Sequence, residues 1–428
     1  MRKSIRTTAL ILVLVMAFAL TASGSGDTIR MVAPQLGFND DQIAAREAAG
    51  EIDNPFNQYY IGVRDALGAE YPEYDIEYVD WGWAETLDQK QRSLIAAGDA
   101  PDLIAGEIFI PTYASEGILE PLPDDIVDMS NPSFLVYDND GRAVAVAHKA
   151  SIFMLFYNKD ILSAAGLDPD KPPTTWDEWK SMSDQITAAG NGEFWGGGVP
   201  SFPHAGGALR ATPFFRQNGT DFYKDGKVNL DDPKLQETLS FIREMNRNLP
   251  AGLGNGADEG PLWDAFQKTK NIGFVVDGSW QASGSARNNV NWGVAPLPLP
   301  EGGVEGNCLV GAVYHGVPKT AANKEASFNL IRTALREDLQ KIWIDETVCV
   351  PLNSIINNTS LYEHNETLMV AMNALKGGQY SGLASFPKND SQVWEIINQK
   401  LLARTTMTED DIAAICGDAL REIEPLIQ

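Results

Sequence analysis

Residues 74–109, "YDIEYVDWGWAETLDQKQRSLIAAGDAPDLIAGEIF", decide the fold. "YDIEYVDW" reads as a strand. "ETLDQKQRSLIAAGDAPD" reads as a helix, with Gly98 placed as its C-cap and Pro101 beyond it. "DLIAGEIF" is the next strand. Upstream, "TIRMVA" (28–33) is a short apolar strand, and "NPFNQYYIGVRDALGAEYP" (54–72) has helical spacing and stops at Pro72. Strand, helix, strand, helix, strand at this spacing is βαβ architecture with a parallel sheet.

A second α/β set follows. "AVAVAHKASIFMLFYNKDIL" (143–162) carries two apolar strand-like runs. "TTWDEWKSMSDQITAAG" opens with a capping box, Thr175 to Glu178. "DDPKLQETLSFIREMNR" has Asp232 as N-cap and Pro233 at the first helical position. Its Leu235, Leu239, Ile242 and Met245 share one face. "NIGFVVDGSW" and "NWGVAPLPLP" read as strand, loop, strand. The last hundred residues are mostly helical, ending in "TEDDIAAICGDALREIEPLI", opened by Thr408.

The N-terminus has the pattern of an export signal: Arg2, Lys3 and Arg6, then an apolar run from Ala9 to Leu20, then small residues. The run is too short for a membrane-spanning helix, which needs about 20 residues. The remaining ~400 residues exceed what one core accommodates, so two lobes are expected. Thirty-three Lys plus Arg face 58 Asp plus Glu, a formal charge of −25. Such a surface repels phosphate backbones, so nucleic acid is not an expected partner. Cys308, Cys349 and Cys416 show no zinc spacing. A Cys308–Cys349 bridge and three buried thiols both remain open.

No catalytic motif stands out. "GLGNGADEG" (252–260) follows a helix and lacks the lysine of a phosphate loop, so it reads as a connector. His148 and His315 sit near strand ends and read as isolated polar packing. No metal site and no cofactor are expected.

The ten tryptophans are more informative. In open α/β sheets, ligands bind beyond the carboxyl ends of strands. Trp81 and Trp83 follow "IEYVD", Trp280 follows "FVVDG", and Trp195 lies in the glycine-rich "GEFWGGG". Flat aromatic faces there suit the apolar face of a sugar. Glu107 and Asp277, at strand ends, are placed to bond its hydroxyls. Trp176, Trp179, Trp263 and Trp343 lie on helical segments and read as core.

The order of motifs resembles the family 1 extracellular solute-binding proteins, the maltose-binding-protein-like sugar receptors of ABC importers. "AAGDAPDLIAG", "ASEGILEPLPDDI", "NIGFVVDGSW", "WGVAPLPLPEG" and "LVGAVYHGVPKTAANKEASFNLI" each resemble a family segment in sequence order. "LFYNKDILSAAGLDPDKPPTTWDEW" (155–179) matches almost position by position. The resemblance implies a two-lobed α/β fold, the type II periplasmic-binding-protein fold, with a ligand cleft between the lobes. It implies a signal peptide over 1–22, lobe one over 27–148 and 298–336, and lobe two over 149–297 and 337–428. The chain is then expected to cross near Ala147–Ser151, near Pro296–Pro300, and around Glu337–Pro351.

Carried over, Glu107 matches an acidic ligand-binding position and Trp280 the family's stacking aromatic. Ser151 falls in a crossing strand, and Gly311 to Tyr314 where a glycine-rich strand lines the cleft. The first loop, within residues 31–58, is longer than usual, and "AVAHKAS" replaces the usual crossing sequence. The resemblance implies a monomeric receptor without chemistry, delivering a sugar or oligosaccharide to ABC permease subunits. The rival is a secreted carbohydrate-active enzyme with an aromatic-lined cleft. Many relatives carry a lipid-anchoring cysteine after Leu-x-Ala. Here Leu20-Thr21-Ala22 is followed by Ser23, which cannot form the thioether, so an exported but unanchored protein is expected.

Overall fold

The computed structural model describes residues 28–33, 40–48, 55–107, 109–304, 307–345, 352–376, 379–381, 383 and 386–428. Residues 1–22, read from the sequence as a signal peptide, lie outside these residues, as do Cys349 and the Cys308 side chain, so the disulfide question is not posed by the described side chains. Cys416 is a buried free thiol.

The opening βαβ pattern is present. β1 (Thr28–Val32) pairs in parallel with β2 (Asp75–Val79). The helix Pro55–Glu70 connects them. The helix Ala84–Ala97 follows and ends at Gly98, whose φ of 77° lets its N–H turn back to the Ile95 carbonyl. β3 shrinks to Ile104–Gly106 and meets β1 through a Met31–Leu103 bridge.

β4 is Leu135–Tyr137. The two apolar runs beyond it are one 16-residue strand, β5 (Ala143–Asn158), buried at every position except Lys149. β6 is Trp195–Gly198, and a small hairpin pairs β7 (Tyr223–Lys224) with β8 (Lys227–Val228). The remaining strands are β9 (Ile272–Gly278), β10 (Trp292–Ala295), β11 (Asn307–Gly316) and β12 (Gln379–Ser381). Between β9 and β10 the expected loop holds a short helix, Gln281–Arg287.

Two sheets share a seam. The first runs β2-β1-β3-β11-β5-β4, with β11 antiparallel to both β3 and β5. The second runs β10-β5-β9-β6, with β9 and β10 antiparallel to β5 and β6 parallel to β9. Residues 145–152 of β5 pair with β11, and residues 153–158 pair with β9 and β10. One strand therefore serves both lobes.

Each sheet anchors a core. Tyr59, Tyr60, Val63 and Leu67 of the Pro55–Glu70 helix pack with Phe328, Ile331 and Trp343. Trp179, Phe214, Leu239, Phe274 and Trp394 centre the second core. Caps form where the sequence places them. Thr175 Oγ1 accepts from the Glu178 N–H at 3.2 Å, and Glu178 Oε2 accepts from the Thr175 N–H at 3.2 Å. Asp232 accepts from the Lys234 N–H at 2.8 Å.

Three boundaries differ from expectation. Residues 298–304 stay with the second lobe: Leu299 bridges Thr175, and the Val304 N–H donates to the Gln217 carbonyl at 2.8 Å. The chain therefore still lies with the second lobe at Pro296–Pro300 and pairs with the first sheet only from Val310 of β11 onward. Residues 337–345 and 352–356 stay with the first lobe, because Gln340 Nε2 donates to the His148 carbonyl at 2.9 Å and Leu352 bridges Ser130. The last helix, Ile412–Ile427, is opened by Asp411 and not Thr408, whose hydroxyl donates to the Arg404 carbonyl in the preceding helix. Among the described residues no helix is long and apolar enough to cross a membrane.

Candidate ligand-binding cleft

Parallel pairing of β1, β2 and β3 sends their carboxyl ends to one edge of the first sheet, carrying Trp81, Trp83 and Glu107 there. From the second sheet, β9 ends at Asp277 and Gly278 with Trp280 just beyond. β5 joins the two groups. Side chains alternate across a strand, so Lys149, Ser151 and Phe153 share one face. Ser151 pairs with Gly311, and Phe153 with Gly278.

Those two glycines make room for an indole. A Cβ on Gly278 would lie 2.2 Å from Trp280 Cζ3, well inside contact distance. A Cβ on Gly311 would meet Phe153 Cε2 at 3.4 Å and Trp280 Cζ3 at 3.7 Å. Phe153 meets the Trp280 ring edge-on, with centroids 5.5 Å apart at 89°. Trp280 is thus held from the side by an aromatic contact that fixes its plane, and it remains part-exposed.

On the first-lobe side, the Lys149 ammonium lies 5.5 Å from the Tyr60 ring, 5.5 Å from Trp83 and 5.4 Å from Trp343. Cation–π attraction from three rings offsets part of its desolvation. Burial still pushes its pKa down to about 7, with the Glu107 carboxylate pulling the other way. Behind it, His148 and His315 stack at 4.3 Å. Burial and the neighbouring positive charge hold both well below the usual histidine range, so both are neutral at pH 7.

On the second-lobe side, Arg210 is buried between the rings of Phe153 and Phe202. Its Nη2 donates to Asp277 Oδ1 and Glu259 Oε2, both at 2.8 Å, and its Nη1 to the Gly206 carbonyl at 2.9 Å. Burial raises the Asp277 pKa to about 6 against the pull of Arg210. Glu259 comes from the "GLGNGADEG" connector, and its Oε1 lies 3.8 Å from His204 Nδ1.

The structure therefore joins Ser151, Gly311, Asp277 and Trp280 in one group, and Trp83 and Glu107 in another around Lys149. Trp81 is part-buried at the same strand exit as Trp83. Two expected site residues do not join. Trp195 begins β6 and pairs with Ile272, the opposite end of β9 from Asp277. The glycines after it are needed for packing: a Cβ on Gly196 would lie 2.3 Å from the Ser183 carbonyl oxygen, and one on Gly198 would lie 2.7 Å from that of Met245. Tyr314 lies beyond a register shift in β11 and is buried in the first core.

Lys149, Arg210, His204 and Glu259 were not singled out from sequence as ligand-site residues. A lysine inside "AVAVAHKASIFMLF" and an arginine inside "GGALRATPFF" are the available signals, since charges rarely sit in apolar runs without a partner. His148 and His315 are a stacked pair, not isolated residues.

A family model described as bacterial extracellular solute-binding protein matches residues 51–341. The chain belongs to that family. An arabinooligosaccharide-binding protein of Bacillus subtilis is 21% identical over 308 residues, covering 67% of this chain and 68% of that protein. An ABC transporter solute-binding protein of Thermotoga lettingae, solved with alpha-D-tagatose, superposes with a TM-score of 0.75 at 18% identity, covering 94% of this chain and 100% of that one. The maltose-bound MalE3 of T. maritima gives a TM-score of 0.75 at 20% identity, covering 93% and 99%. These likenesses establish the two-lobed, type II periplasmic-binding-protein fold. Membership places the chain among binding proteins and gives the enzyme reading no support.

Proposed function

We propose that this solute-binding protein captures a sugar or oligosaccharide between its lobes and presents it to the permease of an ABC importer. The observation that carries this reading is Trp280, fixed edge-on by Phe153 over two glycines, with the hydrogen-bonding Asp277–Arg210–Glu259 cluster beside it. An apolar ring face next to charged acceptors and donors matches the two faces of a pyranose. The polar groups come from both lobes, so a ligand completes its contacts only when they close, and binding shifts the population toward closure. Thr112 Oγ1 to Asp390 Oδ2 at 3.1 Å, and Ser391 Oγ to Asp88 Oδ2 at 3.3 Å, are bonds between lobes that closure would favour. In this reading the protein is exported, monomeric and free of a lipid anchor because of Ser23.

Isothermal titration and tryptophan fluorescence of the purified protein against a panel of mono- and oligosaccharides test it. At least one sugar should release heat and shift the emission, and Trp280→Ala should weaken that sugar by about tenfold or more, the equivalent of 1.4 kcal/mol. Absence of both signals across the panel would refute the sugar reading.

A further inference from the structure

Lys149 is the one position of β5 that is not buried. Its ammonium sits among three rings brought by three separate segments. Tyr60 comes from the helix Pro55–Glu70, Trp83 immediately precedes the helix Ala84–Ala97, and Trp343 lies in a short helix, Ile342–Asp345. The ammonium is nearly equidistant from the three ring centroids, at 5.5, 5.5 and 5.4 Å. Tyr60 and Trp343 stand 5.7 Å apart at 78°, so their rings form a corner, with Trp83 as a further wall.

Aromatic walls meeting around a positive charge are how proteins hold quaternary ammonium ligands. Glu107, at the exit of β3, adds an attracting carboxylate. Here the guest is the chain's own ammonium. Tyr60 is 2% exposed and Trp343 is 0% exposed, so the corner is covered. Lys149, Trp83 and Glu107 remain part-exposed. Lys149 also shares its face of β5 with Ser151 and Phe153, which lead along the cleft to Gly311, Gly278 and Trp280.

Packing alone does not call for a charge at this position. A methionine would lie against the same rings without the desolvation cost of an ammonium, and lysine is seldom drawn into apolar surroundings unless it is paired or used.

We infer that Lys149 is a specificity-determining residue that refuses cationic ligands. Its side chain fills a cage otherwise suited to a quaternary ammonium, and its charge repels a second cation brought to that end of the cleft. Removing the side chain leaves three rings and a carboxylate around an open space, which should turn the first-lobe side of the cleft into an ammonium receptor. The inference concerns what the cleft excludes and stands whether or not its ligand is a sugar.

The test titrates the purified protein and its Lys149→Ala and Lys149→Ser variants with choline, and with the neutral choline isostere in which a tert-butyl group replaces the trimethylammonium. Calorimetry and thermal shift provide the readouts. The wild type should show no saturable binding of choline. Both variants should bind choline at least tenfold more tightly than the wild type does, and at least tenfold more tightly than they bind the isostere. Choline binding by the wild type at the strength of the variants would overturn the exclusion. Folded variants that gain no choline binding, or that bind the isostere equally well, would overturn the cage. Loss of folding in both variants would make the ammonium a structural requirement and would overturn the proposal as well.

Discussion

Replacing Arg210 with methionine probes the charge cluster beneath Trp280. The Arg210 side chain is 2% exposed and Asp277 is 0% exposed. Methionine keeps much of the side-chain volume but leaves Asp277 buried without its counterion. Breaking a buried pair in this way costs about 3–5 kcal/mol. Burial raises the Asp277 pKa to about 6 even with Arg210 in place, and removing Arg210 raises it further. A carboxyl in the unfolded chain titrates near ~4. Between the two values the folded state holds more protons than the unfolded state, so stability falls as pH rises, by about 1.4 kcal/mol per unit. In the wild type this loss ends near pH 6. In Arg210→Met it continues toward pH 7. The penalty of the variant should therefore be larger at pH 7 than at pH 5, by about 1–2 kcal/mol. Urea denaturation followed by circular dichroism at pH 5, 6 and 7 measures it. A penalty below about 1 kcal/mol at pH 7, or one that grows as pH falls, would refute the described pairing. Adding Asp277→Leu to Arg210→Met should recover most of the loss.

Three further outcomes are expected. Gly196→Ala forces its new Cβ against the Ser183 backbone and should cost about 2 kcal/mol or more, seen as a lowered Tm; an unchanged Tm would contradict the close helix–strand approach. Thr175→Ala removes one half of the capping box and should cost about 1 kcal/mol in chemical denaturation. Lys149 has a folded-state pKa depressed to about 7, so the unfolded chain binds the extra proton and stability should rise with pH from about 7 to about 10. Lys149→Met should flatten that rise, and a profile unchanged by the substitution would place the lysine in solvent.

Local signals in the sequence carried the fold well. Gly98 at a positive φ, the Thr175–Glu178 box and the Asp232–Pro233 start are encoded within a few residues, and each is found in place. Strand exits bearing Trp83, Glu107, Asp277 and Trp280 were likewise legible as exits: parallel pairing carries Trp83 and Glu107 to one edge of the first sheet, and β9 ends at Asp277 with Trp280 just beyond in the second. What escaped was set at long range. Arg210 finds its two carboxylates 49 and 67 residues downstream, and Lys149 gathers rings from three separate segments. Trp195 misled because glycines beside an aromatic look like a binding loop, whereas here they let helices lie directly on the strand. Lobe boundaries slipped for a related reason: proline-rich residues 296–304 look like a linker but are pinned by backbone bonds to the second lobe.

The strand β5 has a thermodynamic consequence. Its first half completes one sheet and its second half the other, within one continuous strand. Neither lobe can therefore melt without removing a buried strand from its neighbour. The chain should lose its structure as one cooperative unit, giving a single calorimetric transition. A fragment carrying either lobe alone, cut within β5, should not fold.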